Sequence, residues 1–385
     1  VPGSHARRRD GHKRAVMLAV ASAVVAVGTA TGMLSALGEE RGGAAGGPAV
    51  GQDRPAVTHA RTSAPPAPAP SASATPSVRP APSPRRTTAS PTPTVAKRRT
   101  PQLYRHPDSQ VADWVRAHPD DPRATVIGNR IADRPAAVWF ADFAPATIAS
   151  RVRAVTSAAF AQGRVPVLVP YAIPDRDCGG ASQGGAPDLA AYDGWIDAFA
   201  RGLGSGEVIV ILEPDSVAQA DCLSAADRAA RFASLARAGR VLKAADPGAR
   251  VYYDAGHSGW HPPGRQAALL RQAGATAAAG IFSNVANFQT TEDEIAYDRQ
   301  VLDALGGPAS LGAVIDTSRN GNGAPANGAW CDPAGRRIGR APTLDTGRAR
   351  IDAYLWVKLP GESDGCKGAA GSFTPSYAYD LASSS

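Results

Sequence analysis

The first hundred residues contain no aromatic side chain: all eight Phe, nine Tyr and six Trp fall at or beyond Tyr104. Residues 39–100 also lack Ile, Leu and Met, and Pro, Ala, Ser and Thr dominate there. Such a stretch cannot bury enough apolar surface to offset the entropy of ordering it, so a disordered linker is expected. Within it, segments 64–70 and 90–94 favour polyproline II and read as semi-rigid spacers. Residues 101–385 remain for one folded unit, a size usual for an α/β barrel. A small disulfide scaffold and a wholly disordered chain are both excluded.

That unit also lacks an excess of basic charge. The chain carries a net +7, but fourteen Lys and Arg against four Asp and Glu precede residue 101, leaving 27 basic and 30 acidic residues beyond it. A nucleic-acid-binding domain would concentrate its basic charge on the fold, so no nucleic-acid partner is expected. Cysteine is scarce. Cys178, Cys222, Cys331 and Cys366 show no short metal-type spacing, so disulfides rather than zinc are expected, and no metal or cofactor. Of three pairings, Cys178–Cys222 with Cys331–Cys366 is preferred because both loops are of moderate length. Each bridge would contribute at most ~4 kcal/mol by chain entropy.

The apolar run is at the other end. Arg7, Arg8, Arg9, Lys13 and Arg14 precede an uncharged segment over residues 15–38. A basic region followed by such a segment directs export. Its length is that of a bilayer span, while Gly28-Thr29-Ala30 offers a small-residue cleavage site. Residues 1–38 therefore read as a cleaved signal peptide or a retained membrane tether, and 39–100 as the linker. The folded part lies outside the cytoplasm in either case.

Beyond residue 100, short β-rich runs at 137–140, 165–171, 208–212, 251–253, 280–283, 313–315 and 354–357 alternate with helical spacing at 147–162, 189–201, 225–244, 265–273 and 292–305. That alternation predicts βαβ units with a parallel sheet of about seven strands curling towards a barrel. The strands are followed by Arg176 and Asp177, by Glu213 and Asp215, by Asp254 and His257, by Asn284 and Asn287, by Asp316 and Arg319, and by Lys358, Glu362 and Asp364. In parallel α/β folds, ligands and catalysis gather at the carboxyl ends of strands. One acid at a βα turn can be a helix cap, and Asp316, paired with Arg319, is the member expected to be structural. Capping does not explain two acids within three residues, as at Glu213-Pro214-Asp215 and Glu362-Ser363-Asp364.

Several carboxylates with Trp nearby suit acid/base hydrolysis of a glycosidic bond, in which one carboxyl stays protonated and a second group activates water or attacks carbon. Trp139, Trp260 and Trp330 lie close to strand ends, acids or Cys, whereas Trp114, Trp195 and Trp356 read as core. Ser182 and Ser216 lack the G-x-S-x-G elbow, and Gly259 and Trp260 stand between His257 and His261 where a zinc protease needs Glu. Gly321-Asn322-Gly323 has no following Lys-Ser/Thr and is no phosphate loop.

The blocks Val169-Pro170-Tyr171-Ala172-Ile173-Pro174-Asp175-Arg176-Asp177-Cys178-Gly179 and Ile209-Val210-Ile211-Leu212-Glu213-Pro214-Asp215-Ser216 resemble the two signatures of glycoside hydrolase family 6, the β-1,4-glucan-cleaving cellulases. Tyr253–Trp260, Ile315–Gly321, Trp330–Pro333 and Trp356–Cys366 look like further family blocks, and the similarity runs in order from about Leu103 to the end. The resemblance implies a distorted, incompletely closed (β/α) barrel and hydrolysis with inversion. By matched position Asp215 would be the general acid, Asp177 its neighbour holding the pKa up, and Asp364 the base, directly or through water. Tyr171 would lie under the reacting sugar, with Trp139 where it is gripped. Asp254, His257, Trp260, Asn287, Trp330, Lys358 and Glu362 would contact sugar, and the implied disulfides are those already preferred. Gln183 stands where many members carry a water-positioning Ser, so that task falls to Ser182 or the Gln183 amide, or turnover is reduced. Short intervals between paired Cys point to an open cleft. The expected protein is a monomeric endo-β-1,4-glucanase acting on cellulose or a related glucan, with a cellobiohydrolase or an impaired glycan-binding protein as alternatives.

Overall fold

Runs of Val, Ile and Leu bounded by polar turns form the strands of the computed structural model, which describes residues 101–383. The leader and linker expected over residues 1–100 lie outside the described residues. Among the described residues nine strands occur in the order β1 (Gln102–Leu103), β2 (Val138–Phe140), β3 (Arg164–Val165), β4 (Val167–Pro170), β5 (Val208–Leu212), β6 (Ala249–Asp254), β7 (Gly280–Ser283), β8 (Gly312–Asp316) and β9 (Ile351–Leu355). The α-helices are α1 (Gln110–Ala117), α2 (Ala124–Ile127), α3 (Ile148–Ala161), α4 (Leu189–Arg201), α5 (Ala225–Ala245), α6 (Pro263–Gln272), α7 (Thr291–Leu305) and α8 (Pro375–Ser383).

Seven strands form one parallel sheet in the order β2-β4-β5-β6-β7-β8-β9, as the alternating pattern predicts. Side chains alternate across it with the two-residue period of a strand. Ile209 and Ile211, with Val169, Tyr252, Phe282, Val314 and Leu355, fill a core built without helices on the concave side. Val208, Val210 and Leu212, with Val251, Ile281 and Ile315, pack outward against helical residues such as Trp195, Phe199, Leu235 and Leu302. The barrel does not close by a strand ladder. The two ends of the sheet are joined just outside their edge strands by Ala137 N–H to Trp356 O at 2.9 Å, and by the Trp139 indole to Val357 O at 2.7 Å. Val111, Ile127, Ile131, Trp356, Leu359 and Ala378 form a third core over that seam, drawn partly from α1, α2 and α8.

Two strand expectations change. The 165–171 run is split, because Pro166 has no N–H to donate: β3 pairs with β1, whereas β4 pairs with β2 and β5. The 354–357 run begins earlier, at Ile351, with a register shift opposite Ala313 and Val314. Trp195 and Trp356 are buried as expected. Trp114 is only half-buried, stacked on His118 with Arg123 over its ring.

Candidate active site

The acids at the strand ends are free to serve a site because other residues cap the helices. Ser109, Asp188, Ser224 and Thr290 accept the first-turn N–H bonds of α1, α4, α5 and α7. At the carboxyl end of the sheet lies a cleft of about 1060 Å3. Its lining brings together Tyr171 and Asp177 after β4, Asp215 after β5, His257 and Trp260 after β6, Asn287 after β7, and Lys358, Glu362 and Asp364 after β9. Trp139 of β2 and Trp330 join them, so that every member of the predicted set except Asp254 lines the cleft, with Ser182 and Gln183 also on the wall.

The loops carrying these groups are strained. Asp175, Asp177, Cys178, Glu213, Asp215, Asn284 and Ala286 all have positive φ, between 47° and 69°. Non-glycine residues persist in that left-handed region only where their surroundings over-determine it. Here the restraints are visible. Glu213, fully buried, accepts from the Ala172 and Ile173 N–H groups at 2.9 and 3.0 Å. The Arg176 guanidinium lies over the Tyr171 ring and donates to Ala141 O at 2.7 Å, Ser182 O at 2.8 Å and the Tyr171 carbonyl. Disulfides Cys178–Cys222 and Cys331–Cys366 are both present, one beside Asp177 and one beside Asp364.

Asp215 sits on the cleft floor. Burial, then the nearby charges of Asp254, Asp177 and Asp364, push its pKa up to about 8 against the opposing pull of Lys358. Asp177 is close enough to contribute to that field, and its Oδ2 accepts the Ser182 N–H at 2.7 Å. Tyr171 meets Trp139 edge to face at 5.2 Å, and its hydroxyl pKa is raised by burial and by Asp215. Gly259 N–H donates to Nδ1 of His257 at 3.1 Å, while burial holds that imidazole down to about 4. His257 is thus neutral with its proton on Nε2. Glu362, raised to about 7 by burial, accepts from the Gln110 amide at 3.2 Å.

Two expectations are corrected. Asp254 does not line the cleft. It is buried behind Asp215, and its carboxylate accepts from Val217, Ala218 and Gly256 N–H groups at 2.8–3.0 Å. A carboxylate so engaged holds the Asp215 loop and tunes its charge rather than meeting a ligand. Arg319 does not pair with Asp316 either. Its Nη1 lies 2.8 Å from Asp364, while Asp316 accepts backbone N–H groups of Ala286, Ser318 and Lys358. The reading of the sequence also missed Gln110, Gln219 and Gln289 on the cleft wall. Gln110 follows no strand of the seven-stranded sheet, and Gln219 and Gln289 lie at the far ends of the loops after β5 and β7 as single amides, with no pattern to announce them.

A family model for glycosyl hydrolases family 6 matches residues 98–384. Endoglucanase 1 of Streptomyces sp. (strain KSM-9) is 52% identical over 283 residues, 73% of this chain and 78% of that protein. Endoglucanase A of Thermobispora bispora is 48% identical over 282 residues, 73% of this chain and 61% of that protein. Among solved structures, the endoglucanase Cel6 from Mycobacterium tuberculosis, in complex with methyl-cellobiosyl-4-deoxy-4-thio-β-D-cellobioside, superposes with a TM-score of 0.68 at 43% identity, covering 73% of this chain and 96% of that one.

Proposed function

The chain belongs to glycosyl hydrolases family 6, and on that premise we propose that it is an exported endo-β-1,4-glucanase, cleaving internal bonds of cellulose or a related β-glucan with inversion. The observation that carries this reading is Asp215, a carboxyl on the floor of a polymer-sized cleft, where burial and the nearby Asp254 and Asp177 push its pKa up to about 8. A glycosidic oxygen leaves poorly as an alkoxide, so a neutral carboxyl beside it lowers the barrier by donating its proton. Asp177 contributes the negative field that keeps that proton on Asp215. Asp364, which faces the Lys358 ammonium at 3.5 Å and the Arg319 guanidinium at 2.8 Å, acts on the attacking water directly or through a second one. Trp139, Trp260 and Trp330 offer apolar faces to sugar rings, and neutral His257 donates from Nε2 to a hydroxyl.

Endo action is supported by the short intervals within the disulfides, 44 and 35 residues, and by relatives named endoglucanases at 48–52% identity. Export is supported by the basic and apolar leader and by two disulfides, which persist in oxidising compartments. The test is carboxymethylcellulose hydrolysis with viscosity, reducing ends and product anomer followed together. A rapid viscosity drop with the α-anomer formed first is the expected result. Cellobiose as the main product from the first minutes would indicate a cellobiohydrolase, and binding without turnover a glycan-binding protein.

A further inference from the structure

Arg231, in the first half of α5, is only 3% exposed. Among the described residues it forms no ion pair. Its Nη2 instead donates to the backbone carbonyls of Pro174 at 2.7 Å and Asp175 at 3.2 Å. Burying a guanidinium without a directly bonded carboxylate is costly, and these two carbonyls, with the nearby charges of Asp175 and Glu213, offset that cost here. They sit in the turn that leads into Asp177, where Asp175, Asp177 and Cys178 have φ of 51°, 58° and 47°. Within the turn, Cys178 N–H to Asp175 O is a long bond of 3.3 Å. The turn is also held by Arg176, which donates to Ala141, Tyr171 and Ser182, by the Ser182 N–H on Asp177 Oδ2 at 2.7 Å, and by the disulfide at Cys178.

We propose that Arg231 is a positioning residue for the reaction: from beneath, it holds the turn over residues 174–178 in its left-handed form and so fixes Asp177 beside Asp215. Arg231 does not line the cleft. The inference rests on the reading of Asp215 as the acid and Asp177 as its charged neighbour.

The sign of one measurement separates this role from its alternatives. The charged groups near Arg231 are Asp175 and Glu213, and the titratable Tyr192 is also close enough to act on it. Those facing Asp215 are Asp254, Asp177, Lys358 and Asp364. Removing a cation from this neighbourhood would, by charge alone, raise the pKa of Asp215. Letting Asp177 drift away would lower it, because a negative neighbour is lost.

The experiment compares wild type, Arg231→Met and Arg231→Lys for kcat, KM and the alkaline limb of kcat/KM on cellohexaose, with Tm recorded alongside. Arg231→Met is expected to lower kcat about tenfold, change KM less than about twofold, and move the limb to lower pH. Arg231→Lys, which keeps the cation but not the fork, is expected to recover part of kcat and of the limb position. Wild-type kcat with an unmoved limb, even at a reduced Tm, would overturn the proposal, as would a limb displaced upward. If Arg231→Met does not fold, Arg231→Lys decides alone: a lowered kcat and limb support the role, and wild-type values overturn it. Inactive wild-type enzyme would remove the functional reading itself, whereas active wild type with unaltered variants removes this inference only.

Discussion

Arg319 and Asp364 form an ion pair at 2.8 Å, the arginine wholly buried and the aspartate nearly so. Asp364 Oδ2 also accepts the Asp332 N–H at 3.1 Å, and its Oδ1 faces Lys358 at 3.5 Å. The proposed base is therefore also the counter-ion of a buried guanidinium, and activity alone misreads its removal. Asp364→Ala strands that charge, which typically costs about 3–5 kcal/mol, so a Tm loss of roughly 6–15 °C should accompany the lost activity. Thermal unfolding checks this. An inactive variant with wild-type Tm would show that Asp332 takes over the pairing, since it lies 3.9 Å from Arg319.

The buried glutamates set a pH dependence of stability. Burial raises Glu213, Glu294 and Glu362 each to about 7, from 4.5. Between those limits the folded chain holds protons that the unfolded chain has lost, so stability falls as pH rises through about 7. Tm should be highest near pH 5 and decline towards pH 8. Glu294→Gln, which keeps an acceptor for the Ser258 N–H now bonded at 2.8 Å, should flatten that decline by about 2–4 °C. Differential scanning calorimetry between pH 5 and 8 decides it, and a Tm that climbs with pH contradicts the assignment.

His257 should not titrate in the working range. With its pKa held to about 4 and Nδ1 occupied by Gly259 N–H, its imidazole stays neutral from about pH 5 upward. Nitrogen-15 NMR should show one Nε2–H tautomer, unchanged between pH 6 and 7. An imidazolium signal at pH 6 would show that the loop is more open than described.

Most of the architecture was legible because it follows from periodicity. The strand at Val208–Leu212 and the helix at Leu189–Arg201 have the predicted limits, and polar residues after β4, β5, β6, β7 and β9 converge on one cleft as the parallel topology requires. The Arg319 partner was not legible, since Asp316 is nearer in sequence while Asp364 is 45 positions away and is brought in by a loop. Asp254 carries the same chemical label as Asp215, and only coordinates show its oxygens occupied by backbone N–H groups. Arg231 gave no signal at all, because one Arg within an Ala- and Arg-rich helix resembles its exposed neighbours.

The cleft disulfide should matter for turnover as well as folding. Cys178 follows Asp177 directly and ties it to Cys222, in the segment after Asp215. The Cys178→Ser/Cys222→Ser variant should lose roughly 2–5 kcal/mol and also show a reduced kcat at temperatures where it remains folded. Full kcat in the folded variant would assign the bridge to stability alone.

Leaving-group dependence tests the assignment of Asp215 most directly. Asp215→Asn cannot donate a proton, so its kcat/KM on cello-oligosaccharides should fall by about 100- to 10,000-fold. From a 2,4-dinitrophenyl cellobioside the 2,4-dinitrophenolate leaves without protonation, so hydrolysis of this substrate by the variant should be close to wild type. Equal losses on both substrates, or an active variant on cello-oligosaccharides, would contradict Asp215 as the general acid.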